Sequence, residues 1–231
     1  MTQTIKIISS KATQHILETL IAQWNGQGRL PAELESVGGV VAAQRVLEGT
    51  ESFDIAVLAS DVLAHLQEQG RLIPGSKVDL TRSGISIAMA AGATKPDISS
   101  ADAVRQAVMQ ANTLGYSTGP SGKVLLALLE RWGLTEALIP RLVLAPPGLS
   151  VAKLVATGKA DLGFQQLSEM ILEPGIEVLG PLPDEIQVTT VFSAGLVTGS
   201  IHTNDAAQLI AYMGHPEADD VKRRFGMEPA Y

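Results

Sequence analysis

Serine and glycine recur in this chain at places where an apolar run gives way to a helical pattern, and the chemistry they suit is anion capture. The fullest case is Leu114-Gly115-Tyr116-Ser117-Thr118-Gly119-Pro120-Ser121-Gly122-Lys123, a short apolar strand passing through a Gly/Ser/Pro turn into an amphipathic helix. Ser121 is expected to cap that helix, while Gly119 and Gly122 let a ligand approach the backbone. First-turn N–H groups have no intrahelical acceptor and sit at the positive end of the helix dipole, so a phosphate, oxyanion or carboxylate would satisfy them. Three further starts repeat the device: Ser9-Ser10-Lys11, Ser36-Val37-Gly38-Gly39 and Pro146-Pro147-Gly148-Leu149-Ser150. A single junction of this kind often does nothing but cap a helix; four at strand ends favour a ligand site. Gln165, Gln166 and Ser168 add polar groups at the end of another apolar run, where buried polar atoms need partners.

Other chemistries have less to stand on. The absence of cysteine excludes disulfides, thiolate metal sites and a cysteine nucleophile. His65, His202 and His215 show no metal spacing, and His15 reads as a local packing residue, so neither metal nor cofactor is expected. The net charge is −7 and no basic run could track a phosphate backbone, which argues against nucleic acid. No apolar run is long enough for membrane insertion. Met1-Thr2-Gln3 leads directly into Ile5-Lys6-Ile7-Ile8, without a basic n-region, long h-region or cleavage site. The chain as written therefore reads as cytoplasmic, and as periplasmic if a leader has been removed.

The elements that position these residues alternate between strand and helix. With 231 residues, 45% of them hydrophobic, the chain can build one large α/β unit or two smaller ones. Residues 5–8 read as a core strand, and Ala12, Ile16, Leu17, Leu20, Ile21 and Trp24 recur at helical spacing after it. A second helix opens at Gly38-Gly39 and stops near Gly49. Residues 53–59 form a buried parallel-type strand, and Ser60-Asp61 caps the helix after it. Residues 78–89 read as one long strand, followed by a Ser99-Ser100-capped helix. Strands at 142–144 and 160–164, a long extended stretch at 185–197 and two terminal helices complete the pattern. Such alternation implies parallel sheets, with ligands at the C-terminal ends of the strands.

A resemblance then becomes specific. Gly75-Ser76-Lys77-Val78-Asp79-Leu80-Thr81-Arg82-Ser83-Gly84-Ile85, Lys95-Pro96-Asp97-Ile98-Ser99, Gly119-Pro120-Ser121-Gly122, Leu162-Gly163-Phe164-Gln165-Gln166-Leu167-Ser168-Glu169, Gly180-Pro181-Leu182-Pro183 and Gly226-Met227-Glu228-Pro229 occur in that order. Together they resemble the molybdate-binding-protein-like branch of the bacterial solute-binding proteins, over nearly the whole chain. The resemblance implies a two-lobed, periplasmic-binding-protein-like α/β fold with two hinge-crossing strands and an inter-lobe ligand cleft. On that reading residues 1–82 with 190–231 form one lobe and residues 83–189 the other.

The resemblance also implies where a ligand sits. The serine after the first strand matches Ser9 or Ser10, and the backbone donors of the far lobe match the helix starts at Ser121 and at Leu149-Ser150. Two positions depart from the family: its second hydroxyl falls at Val37-Gly38, leaving backbone donors at Gly38 and Gly39 unless Ser36 reaches in, and its tyrosine falls near Gln165. These departures, with Arg82 available for bidentate pairing, suit a carboxylate better than a tetrahedral oxyanion. The candidate ligand set is thus Ser9, Ser10, Lys11, Gly38, Gly39, Arg82, Ser117, Gly119, Ser121, Gly122, Leu149, Ser150, Gln165, Gln166 and Ser168. Two functions remain open: a binding protein for a small anion, or an isomerase of an unsaturated polycarboxylate, similar to aconitate isomerases, with Lys11 as the candidate proton-transfer group. A transporter or sensor partner is compatible with the first and is not readable from the residues.

Overall fold

The computed structural model describes residues 3–231; Met1 and Thr2, with which the leaderless reading begins, lie outside the described residues. The chain divides into two compact units, Met1–Ser83 with Thr190–Tyr231, and Gly84–Thr189.

The first unit is built on β1 (Ile5–Ser10), β2 (Ala32–Val37), β3 (Ile55–Ala59), β4 (Val78–Ser83), with β5 (Ile85–Ala90) already belonging to the second unit. Its helices are α1 (Gln14–Asn25), α2 (Gly39–Glu48) and α3 (Ser60–Glu68). The second unit continues through α4 (Ala101–Gln110), β6 (Leu114–Tyr116), α5 (Pro120–Arg131), α6 (Thr135–Leu138), β7 (Leu142–Leu144), α7 (Val151–Ala156), β8 (Leu162–Gln166) and β9 (Ile176–Pro181). The chain then returns to the first unit with β10 (Thr190–Leu196), α8 (Thr203–Gly214), α9 (Asp219–Arg224) and β11 (Glu228–Pro229). The long strand expected over 78–89 is interrupted at Gly84, and its halves enter different sheets. Of the stretch 185–197, only β10 is strand.

Sheet order in the first unit is β11-β4-β10-β3-β1-β2. β1 runs parallel to β2 and β3, while β10 lies antiparallel to both β3 and β4. Successive side chains on a strand face opposite sides. Ile5 and Ile7 therefore join Ile16, Leu17, Leu20, Trp24, Leu209 and Met213 in one apolar cluster. Ile8 joins Ala42, Val46, Leu63 and Leu66 from α2 and α3 in another. Ser9 consequently belongs to the α1 side and Ser10 to the α2 side. β2 escapes the sequence reading because Ala-Glu-Leu-Glu-Ser-Val alternates acidic and apolar residues at an edge position, without the β-branched run that marks β3.

In the second unit the order is β7-β6-β8-β5-β9, with β6 parallel to β7 and β8, and β5 antiparallel to β8 and β9. Val104, Val108, Leu125, Leu129 and Leu138 cover one face together with Ile87, Leu114 and Phe164. α7 lies close on the other face: a Cβ at Gly163 would stand 2.7 Å from Val155 Cγ2 and 2.8 Å from Val151 Cγ1. This approach sets the start of α7 beside the end of β8. Among the described residues, no helix is long and apolar enough to cross a membrane.

Candidate functional site

In the first unit the C-terminal ends of β2, β1 and β3 lie side by side, and each leads into a helix. α2 opens on Gly38 with no side-chain cap; its first intrahelical bond of this start runs from the Ala42 N–H to the Gly38 carbonyl at 2.9 Å. The N–H groups of Gly39, Val40 and Val41 thus have no intrahelical acceptor. Ser10 sits against this turn, its Cβ 3.5 Å from where a Cβ on Gly39 would be. Only 6% of Ser10 is exposed, and its hydroxyl has no hydrogen-bond partner. The expected serine cap is absent there: Ser10 stands at the N-cap position of the 3-10 turn Lys11–Thr13 and makes no cap bond. An extended backbone carries its side chain to the α2 side instead.

Of the two serines left open by the sequence, Ser9 is fully buried on the opposite face, and its hydroxyl lies 2.7 Å from that of Ser36. This pairing engages both hydroxyls inside the unit. Lys11 follows Ser10 directly; its ammonium donates to Gln14 Oε1 at 3.0 Å and has no carboxylate partner among the described residues. Arg82 lies at the same sheet edge but on β4, three strands from β1, or about 14 Å at ordinary strand spacing. Its register neighbours are Val191 and Glu228. The structure therefore groups Ser10, Lys11, Gly38 and Gly39 and sets Arg82 apart from them.

The second unit treats its helix starts differently. α5 begins at Pro120 with Gly119 as an uncapped N-cap, so Ser121 lies inside the helix and does not cap it. Ser121 is 1% exposed and makes no side-chain hydrogen bond among the described residues. Pro120 has no N–H, which leaves Ser121 and Gly122 as the donors of the first turn. Gly122 does not serve ligand approach: a Cβ there would stand 1.7 Å from the Ser117 carbonyl oxygen, because the chain's own turn occupies that space. The Ser117 hydroxyl accepts from the Gly119 N–H at 3.3 Å.

At α7 the donors are closed internally. The Leu149 N–H donates to the Pro146 carbonyl at 3.0 Å, the Ala152 N–H to Gln165 Oε1 at 3.1 Å, and the Lys153 N–H to Ser150 Oγ at 3.0 Å. Gln165 also donates from Nε2 to Glu169 Oε2 at 2.8 Å. Leu149, Ser150 and Gln165, expected to receive a ligand, thus form a self-satisfied cap. Gln166 and Ser168 are buried and already engaged within the protein. Sequence reasoning missed Val40 and Val41, whose backbone donors complete the α2 start. The signal was an absence, since no Ser, Thr, Asp or Asn stands at that N-cap. No group of three His, Cys, Asp or Glu side chains among the described residues is arranged to hold a metal ion.

Comparison with known proteins gives a consistent lineage. An aconitate isomerase from a Pseudomonas species is 36% identical over 186 residues, 79% of this chain and 70% of the relative. A molybdate-binding protein of Azotobacter vinelandii is 29% identical over 185 residues, 75% of this chain and 70% of that one. Among solved structures, the periplasmic molybdate-binding protein of Azotobacter vinelandii superposes with a TM-score of 0.80 at 20% identity, covering 96% of this chain and 98% of that one. The two sheets with their flanking helices match this two-lobed α/β architecture. The family model of the bacterial extracellular solute-binding proteins matches residues 5–228, and the chain belongs to that family.

Proposed function

We propose that this protein binds a small carboxylate, with one carboxyl group at the start of α2 and the remainder held by the α5 start of the second unit. The observation that carries the reading is the Ser10 hydroxyl, buried and without a partner beside an uncapped helix start. A buried hydroxyl left without a hydrogen bond is costly, and an oxyanion at this point would relieve it. Gly39, Val40 and Val41 supply three N–H donors, Ser10 an O–H and Lys11 a positive charge, which suits the lone pairs of one carboxylate. Support for a carboxylate over molybdate comes from the missing second hydroxyl at Val37-Gly38 and from Gln165, whose amide holds up α7. The 36% identity to an aconitate isomerase points to the same ligand class. Titration calorimetry with trans-aconitate and with molybdate tests this: the expected result is stronger binding of trans-aconitate, and a preference for molybdate would overturn it.

The same relative favours a second reading, isomerisation of an unsaturated polycarboxylate. That chemistry needs a group to remove a proton from carbon beside a carboxylate, and donors to hold the charge that develops. Lys11 is the candidate for the first role and the α2 start for the second. Incubation with cis- or trans-aconitate in deuterium oxide separates the readings: interconversion with deuterium entering the product supports the enzyme, and thermal stabilisation by an unaltered ligand supports binding alone.

A further inference from the structure

Lys11 is held in an unusual way for a surface-edge lysine. Its ammonium donates to Gln14 Oε1 at 3.0 Å, Gln14 Nε2 donates to Glu18 Oε1 at 2.7 Å, and Glu18 Oε2 lies 3.3 Å from His15 Nδ1. The spacings of three and four residues put these groups along one face of the first helical turns. An ammonium only donates and a carboxylate only accepts, so the amide between them is fixed with its oxygen toward Lys11 and its nitrogen toward Glu18.

Electrostatics alone would favour a carboxylate at position 14. It would pair with Lys11 three residues earlier and would complement the positive start of the α1 dipole. The first turn of α1 contains no acidic residue, and the nearest carboxylate, Glu18, has one oxygen on Gln14 and the other near His15. We propose that Gln14 is a positioning residue, a neutral tether that fixes the Lys11 ammonium while leaving its charge uncancelled for the anion bound at the α2 start. This inference rests on the anion reading above and concerns how that site keeps its one nearby cation available.

The test is a double-mutant cycle of Gln14→Glu with Lys11→Met, measured by titration calorimetry against trans-aconitate and against molybdate, with thermal unfolding recorded for each variant. Gln14→Glu is expected to weaken binding roughly three- to tenfold in the Lys11 background, the order of a screened charge interaction, and to change it little in the Lys11→Met background. An equal loss in both backgrounds, or none in either, would overturn the tether while leaving the anion site intact. Failure of the unsubstituted protein to bind either probe would overturn the anion reading and the tether with it.

Discussion

The two units build the same motif, a parallel strand running into a helix through glycine and serine, and end with opposite hydrogen-bonding states. In the second unit the α7 start is closed by Gln165, Ser150 and a turn at Leu149, and the α5 start is overlaid by the Ser117 carbonyl at Gly122. In the first unit the α2 start has no cap and faces a buried hydroxyl with no partner. Helix starts that look alike in sequence therefore divide into those that stabilise the fold and one that waits for a ligand. The difference lies in whether the local side chains already accept from the first-turn N–H groups.

The largest expected effect comes from adding one methyl group to each glycine-led start. Gly122→Ala places a Cβ on the Ser117 carbonyl oxygen and should cost about 3 kcal/mol or more, because backbone must move. Gly39→Ala makes only an ordinary 3.5 Å contact with Ser10 Cβ and should stay within about 0.5 kcal/mol. Denaturant unfolding of the two variants checks the contrast; equal losses would erase the distinction between a closed and an open start.

A smaller pair of effects sharpens the α7 side. Gln165→Leu removes the acceptor of the buried Ala152 N–H and should cost about 2 kcal/mol, while Ser150→Ala removes one N-cap and should cost about 1 kcal/mol. Neither change should alter anion affinity by more than about twofold if α7 is closed to the ligand, which calorimetry with trans-aconitate would measure. A larger loss of affinity at Ser150 would return Leu149 and Ser150 to the site.

These contrasts also mark where the sequence can be read. The buried runs of β3 and β8, the helical spacing of α1 and the stop at Gly49, which adopts a left-handed φ of 65°, follow from side-chain pattern alone. The edge strand β2 is hidden because its acidic residues mask a period of two. Ser10 and Ser150 read identically as cap residues; only strand alternation and the position of α2 reveal that one is orphaned and the other engaged. Arg82 looks like a carboxylate partner from its chemistry, yet the interposition of β10 and β3 between β4 and β1 is a matter of topology that no local pattern carries. Gln165 looks like a ligand residue for the same reason that it is a structural one: it is a buried amide in need of partners, and α7 supplies them first.

The most direct test of an open site at α2 is Ser10→Ala, followed by thermal unfolding without ligand and by calorimetry with trans-aconitate. A hydroxyl that has no partner in the unliganded fold contributes nothing to its stability, so the account predicts an unfolding temperature equal to or above that of the unsubstituted protein, together with affinity lowered roughly three- to tenfold. A fall in stability with affinity unchanged would contradict it, and would make Ser10 a structural serine like Ser9.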